Sequence, residues 1–411
     1  MKQPNRRNFA LILVLLLCLG SSTMALYPPT APPPTYEILH SFTGNDNHGF
    51  TGDTDGANPY GPLIQAPDGT FYGTTLTGSA TQGGGTGTVF KMDTTGKITI
   101  IHHFMTVVGG DGANPYGGVV LATDGNLYGT TYTALGVTGS GQNGGVVYRL
   151  TTAGVYTKLW TFTGVEGGLP KSGLIQAKDK MLYGTSTKGG YLAGAVYRMS
   201  TNGKPTLLHG FKAPEGLQPT CDLLQASDGN FYGTTYSGGP FGFGTLFKLT
   251  PNGAFSVIHE FKGPAAADGS NPISGLIQTT DGTLVGTTAT GGKFNQGSIY
   301  KIDTTGNYSV FYAFNGTDGA KPFGNLLQAS DGVLYGTAYG GGRGYGTVFK
   351  LTMNGQLTVL HNFAEVRGDG GWPASGVIQG LDGKFYGTTY IGGTQNKGIV
   401  YRLDVGLPPL K

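Results

Sequence analysis

CDLLQASDGNFYGTTYSGGPFGFGTLFKLTPNGAFSVIHEF, residues Cys221–Phe261, decides the fold. It opens on an apolar run, Cys221–Ala226, and turns at Asp228-Gly229, a dipeptide suited to a two-residue hairpin. Asn230–Tyr236 follows as a second strand, and a glycine-rich loop, Ser237–Gly244, leads to Thr245–Thr250. That third segment alternates apolar and polar residues, as a half-buried strand does. Asn252-Gly253 turns the chain again into Phe255–Phe261. Four short antiparallel strands joined by tight turns form a meander, the unit of a propeller blade.

The core of the second strand recurs along the chain. It reads FYGTT at Phe71–Thr75, LYGTT at Leu127–Thr131, LYGTS at Leu182–Ser186 and FYGTT at Phe231–Thr235. It continues as LVGTT at Leu284–Thr288, LYGTA at Leu334–Ala338 and FYGTT at Phe385–Thr389. Seven copies at a period of about 50 residues predict an all-β, seven-bladed β-propeller of four-stranded antiparallel blades. Tyr36–Phe42 matches a fourth strand but comes first, and Gly398–Asp404 matches a third strand with no fourth after it. Strand 36–42 is therefore expected to join the last blade and close the ring.

The expected organisation is a signal peptide over 1–25, a Pro-rich linker over 26–35, the propeller over 36–404 and a tail over 405–411. Lys2, Arg6 and Arg7 precede the apolar run Leu11–Leu19, and Thr23-Met24-Ala25 suits cleavage. This predicts a secreted or periplasmic protein with no membrane contact after cleavage. The whole chain carries 26 basic and 23 acidic residues; loss of the leader leaves 23 of each. Such a balance gives no electrostatic footprint for nucleic acid. Cys221 is the only cysteine beyond the leader, so no intrachain disulfide is expected. A monomer without a cofactor is the expected state.

Four positions recur in every copy. An acid followed by Gly stands four residues before a proline: Asp55, Asp111, Glu166, Glu215, Asp268, Asp318 and Asp369. These carboxylates either form a ring that gathers Ca²⁺ or accept hydrogen bonds within a tight turn, and recurrence in every blade favours the turn. An aromatic-basic pair, such as Phe247-Lys248, marks each third strand, and its cation is a candidate partner for the repeat acid. The Gly of the second-strand core reads as a point of close approach. The fourth strand ends in Phe, with His40, His102, Trp160, His209, His259, Tyr312 or His361 two residues earlier. Those rings are expected to pack and hydrogen-bond, since histidines on separate blades cannot share one metal.

Function is sought where the repeats differ. The tight turns lie on one face, and the longer, variable connections lie on the other, where binding is expected. The residue after the second-strand core is Tyr132, Tyr236, Tyr339 or Tyr390 in four blades. With Phe243 and Trp372 these are the candidate ligand-binding residues, through stacking on sugar rings or peptides. Phe241, Tyr345 and Tyr191 are further loop aromatics. Ordinary loop packing is the alternative for all of them. Candidates for an asymmetric catalytic pair are Asp46, His48, Asp53, His103, Glu260 and Glu365, none in a recognisable constellation.

The block DGNFYGTTYSGG…GTLFKLTPNG…HEF at 228–261 resembles the bacterial GloVer (Gloeo/Verruco) tandem repeat, and similar blocks extend over 36–404. The resemblance implies a propeller in exported proteins, often with a C-terminal sorting anchor. DVGLPPLK, Asp404–Lys411, lacks an apolar tail, so release is expected. The resemblance implies no activity and no catalytic residues. The expected function is an exported binding or interaction scaffold for a glycan or a protein. The alternatives are a carbohydrate-active hydrolase or lyase with no catalytic residue assigned, and a structural surface or matrix component.

Overall fold

The computed structural model describes residues 33–44, 55–78, 86–105, 110–134, 144–191, 193–364 and 368–410. The signal peptide, most of the linker, and Asp46, His48, Asp53 and Glu365 lie outside them. Within Pro34–Lys411 the strands form seven four-stranded antiparallel blades. The innermost strand of each is short, as at Leu224–Gln225. Phe231–Thr235, Thr245–Leu249 and Phe255–Glu260 complete that blade outward. The seventh blade has the order Ile378–Gln379, Phe385–Thr389, Ile399–Asp404, Thr35–Ser41. The closing strand pairs Thr35 with Asp404 and Ser41 with Ile399, so the expected closure holds with a boundary one residue earlier.

The repeated glycine is explained by register. Gly233 lies directly opposite Phe247. A Cβ on Gly233 would stand 2.6 Å from Phe247 Cζ, and one on Gly73 would stand 2.5 Å from Phe90 Cζ. The aromatic of the third strand thus lies flat across the glycine. The close approach is by a ring, not by a neighbouring backbone as Gly in a strand first suggests. Packing this tight means that one extra methyl is felt.

The repeat acids take up the fourth-strand rings. His40 Nε2 lies 2.8 Å from Asp55, and His102 Nε2 lies 3.0 Å from Asp111. His209 meets Glu215 at 3.1 Å, His259 meets Asp268 at 3.2 Å and His361 meets Asp369 at 3.4 Å. Where histidine is replaced, Trp160 Nε1 donates to Glu166 at 3.0 Å and the Tyr312 hydroxyl donates to Asp318 at 2.6 Å. Each carboxylate also accepts a backbone N–H just past the repeat Phe, such as Thr43 N–H to Asp55 at 2.9 Å. A β-bulge in every outermost pairing re-aims the ring toward the acid. Burial raises the carboxyl of Asp55, but the bonds from His40 and Thr43 outweigh it and hold its pKa below the usual range. The same balance holds for Asp268 and Asp369.

The third-strand cations are therefore not the partners of these acids, contrary to the pairing suggested by their equal number. Lys248 instead pairs with Asp228 of the hairpin turn at 3.2 Å, and Arg402 pairs with Glu37 of the closing strand. They lie toward the opposite face, where the hairpins are.

That face carries a second belt. The Gln of the innermost strand accepts a backbone N–H from the turn of the preceding blade. Thr123 donates to Gln176, Lys178 to Gln225, Ser227 to Gln278, Thr280 to Gln328, Ser330 to Gln379 and Leu381 to Gln65, at 2.7–2.9 Å. Between the first and second blades the bond is missing on both sides. The donor position is Pro67, which has no N–H, and the acceptor position is Leu121.

Two outcomes test this packing. Gly233→Ala alone should cost about 1–3 kcal/mol in a urea melt. In a Phe247→Leu background it should cost less, with a coupling of about 1 kcal/mol. Leu121→Gln introduced into a Pro67→Ser background should raise stability by about 0.5–1.5 kcal/mol through the restored bond, whereas Leu121→Gln alone should not.

Candidate functional site: an axial pocket

The acid-Gly-x-x-Pro tract builds the site. In all seven blades it lies antiparallel to the start of the variable loop, as in Ala113 opposite Thr133 and Gly371 opposite Ile391. The residue just before each proline has φ between 52° and 57°. These residues are Asn58, Asn114, Leu169, Gln218, Asn271, Lys321 and Trp372. Left-handed backbone is unfavourable for a bulky side chain and for a pre-proline position. It persists because the N–H of each reaches a loop carbonyl of the preceding blade, such as Trp372 N–H to Tyr345 O at 2.7 Å. The turn then delivers the three residues after the proline to the ring axis. The Thr of the second-strand core fixes them there from the neighbouring blade. Thr130 Oγ1 donates to Ser172 O at 2.9 Å, and Thr185 Oγ1 donates to Cys221 O at 3.0 Å.

These residues enclose a cavity of about 350 Å³, to which every blade contributes. It is lined by the connections into the innermost strands and by Tyr236, so it opens on the face with variable loops. The volume suits a small ligand or the end of a longer one.

The wall departs from seven-fold symmetry at all three positions after the proline, and the middle one varies only among Gly, Ser and Cys. Directly after the proline stand Tyr60, Tyr116, Lys171, Thr220, Ile273, Phe323 and Ala374. Two residues further on stand Pro62, Gly118, Gly173, Asp222, Gly275, Asn325 and Gly376. Only Asp222 and Asn325 bear polar side chains at that third position. The Gly173 N–H donates to Asp222 Oδ1 at 2.6 Å, and Asn325 Nδ2 reaches Asp222 Oδ2 at 3.4 Å. Asn325 Oδ1 in turn accepts the Gly275 N–H at 2.7 Å. Asp222 keeps some surface open to the cavity and is otherwise enclosed by protein. Burial pushes its carboxyl above the ordinary carboxylate range, against the two hydrogen bonds. Beside it the buried Cys221 thiol is pushed up to about 11, also by burial. Among the described residues Asp222 is the only carboxyl lining the cavity.

Of the aromatics singled out in the sequence, Tyr236 lines the cavity directly. Tyr132 meets lining residue Tyr116 edge-on at 5.2 Å, Tyr116 meets Tyr60 at 5.2 Å, and Tyr60 meets Tyr390 at 6.3 Å. On the other side Tyr339 stacks on lining residue Phe323 at 4.7 Å, with Trp372 5.8 Å beyond. Tyr132, Tyr339 and Tyr390 thus stand against lining rings, and Trp372 stands one ring further out, behind Tyr339. Phe243 lies elsewhere, packed against a buried cluster around Phe261 and across Gly263. Phe241 and Tyr191 are exposed in their loops. His103 and Glu260 end outermost strands and do not line the cavity. The seven repeat acids do not converge, each being engaged with its own blade junction. Asp222, Asn325, Lys171, Tyr60, Tyr116 and Phe323 went unnoticed in the sequence. Aligning the repeats on their prolines exposes them all.

A buried carboxyl with a raised pKa stabilises the fold only while protonated. Its contribution is complete at low pH and is lost as pH rises through the folded-state value. Asp222→Asn should therefore raise the thermal midpoint at pH 8, and the gain should shrink to nothing as pH falls below about 4. Differential scanning calorimetry across that range checks it.

The Gloeobacter/Verrucomicrobia repeat matches residues 33–190, 84–288 and 265–407. No curated protein matches the chain. Among solved structures the chain is similar to a luciferin-regenerating enzyme, at 14% identity over 92% of this chain and 97% of that one, with a TM-score of 0.46. It is also similar to the periplasmic gluconolactonase of Pseudomonas aeruginosa, at 18% identity over 74% of this chain and 85% of that one, with a TM-score of 0.48. Likenesses of that degree say nothing about activity. The repeat matches, by contrast, run through all seven blades, and the chain belongs to the Gloeobacter/Verrucomicrobia repeat family.

Proposed function

We propose that the protein is an exported ligand-binding propeller whose axial pocket holds a hydroxylated, sugar-type molecule or the end of one. The observation that carries this reading is the break in repeat symmetry at the axis. Positions occupied by glycine or proline in five blades carry Asp222 and Asn325 in the other two, where their polar atoms meet in one cavity. A carboxyl and an amide offer the mix of donors and acceptors that ring hydroxyls require. Tyr60, Tyr116, Tyr236 and Phe323 supply apolar faces beside them. Burying a carboxyl at the axis costs stability, and binding is the use that such an outlay supports.

Glycoside hydrolysis calls for two carboxyl groups flanking the bond, and the described lining residues include one. The arrangement therefore favours holding a ligand over cleaving it. The basic, apolar leader sequence supports export.

A glycan array followed by isothermal titration tests the reading. Asp222→Asn and Tyr236→Ala should each weaken binding of any hit at least about tenfold. Phe243→Ala, which lies away from the cavity, should leave affinity unchanged. Hits that bind equally well to the Asp222 and Tyr236 variants would place the site elsewhere.

A further inference from the structure

Among the described residues one basic side chain, that of Lys171, lines the axial pocket. Lys171 stands directly after the proline of the third blade, at a position where no other blade carries a charge. Its ammonium lies 5.6 Å from the Tyr116 ring centroid and 5.5 Å from that of Tyr132, poised over the two rings at the cavity mouth. Among the described residues no carboxylate lies within 4.0 Å of it. Lys248, Lys384 and Arg402, by contrast, are each paired with an acid. Asp222, the carboxyl among the described lining residues, is engaged by the Gly173 N–H and the Asn325 amide and makes no ion pair with it. The side chain is exposed, so it is not held there to fill the core.

A cation with aromatic support and no internal counter-ion, set at the mouth of a polar cavity, is arranged to receive an anion from outside. The charge it receives is small. A phosphate dianion is typically met by several cations or by a nest of backbone N–H groups, and here a lone lysine would face it in a pocket that also holds the Asp222 carboxyl. A single carboxylate matches one ammonium, and the hydroxyls around it match Asp222, Asn325 and the aromatic faces.

We infer that the ligand of the axial pocket is an acidic sugar, a uronate-type residue whose ring enters toward Asp222 while its carboxylate pairs with Lys171. This assignment rests on the pocket being the ligand site and adds the charge of the ligand to it.

The test is titration calorimetry of the full chain at low salt with galacturonate, glucuronate, their methyl esters and the neutral parent sugars. One uronate should bind at least about tenfold more tightly than its own methyl ester. Lys171→Met should abolish that difference. Lys171→Arg should keep the difference, and raising the salt to 0.5 M should reduce it in the unmodified protein. Glucose 1-phosphate should bind more weakly than the preferred uronate. Equal affinity for a uronate and its ester, a preference that survives Lys171→Met, or a tighter phosphate overturns the inference while the pocket reading stands. Absence of binding by every acidic and neutral sugar overturns both.

Discussion

The ring depends on the carboxylate that opens each repeat. It sits where one blade ends and the next begins, accepting from a ring on the outermost strand and from the backbone that follows. That strand is the edge of its sheet, the least supported element of a blade. Four of the five histidines so bound also stack on an aromatic of the next outermost strand. His209 lies on Phe255 with centroids 3.8 Å apart, and His361 lies in the same way on Tyr36 of the closing strand. Acid, ring and neighbouring ring thus fasten edge to edge around the perimeter. The bulge that aims the ring serves this contact, and the glycine that follows the acid makes room for a second-strand Thr, as Gly112 does for Thr131.

Because the perimeter and the hairpin face are held by repeated bonds, the axis is free to vary. Second-strand threonines of five blades, Thr74, Thr130, Thr185, Thr287 and Thr337, clamp carbonyls of the neighbouring entry loops. At the throat Gly118 and Gly376 are held to glycine, since a Cβ would stand 2.6 Å from Pro62 O at the first and closer still to Asn325 O at the second, while Pro62, Asp222 and Asn325 bring the side chains. The same scaffold that repeats itself seven times presents one asymmetric wall.

The division between what the sequence made legible and what it hid follows the same line. Strand order, blade number and ring closure were readable because each rests on local chemistry: Asp-Gly turns, alternating strands, a displaced fourth strand. The packing role of the fourth-strand rings was readable because it recurs. The partner of the repeat acids was misassigned to the third-strand cations, since equal numbers say nothing of which face a side chain occupies. The throat was missed for a different reason. Asp222 sits in CDLLQA, which reads as a plain apolar strand, whereas regular pairing begins only at Leu224. The preceding residues are loop, bent inward by a left-handed residue that a pre-proline position disfavours. Phe243 was drawn into the search by its place in a variable loop, and its burial against Gly263 is invisible without the fold.

The glutamine belt has a consequence of its own. It runs from the second blade through the seventh, the blade in which the propeller's first and last strands pair, and on to the first. It stops between the first and second blades, at Pro67 and Leu121. On that face the belt is a horseshoe and not a hoop. The closing blade is bridged, and the seam lies one blade along, at a place that strand connectivity would never single out.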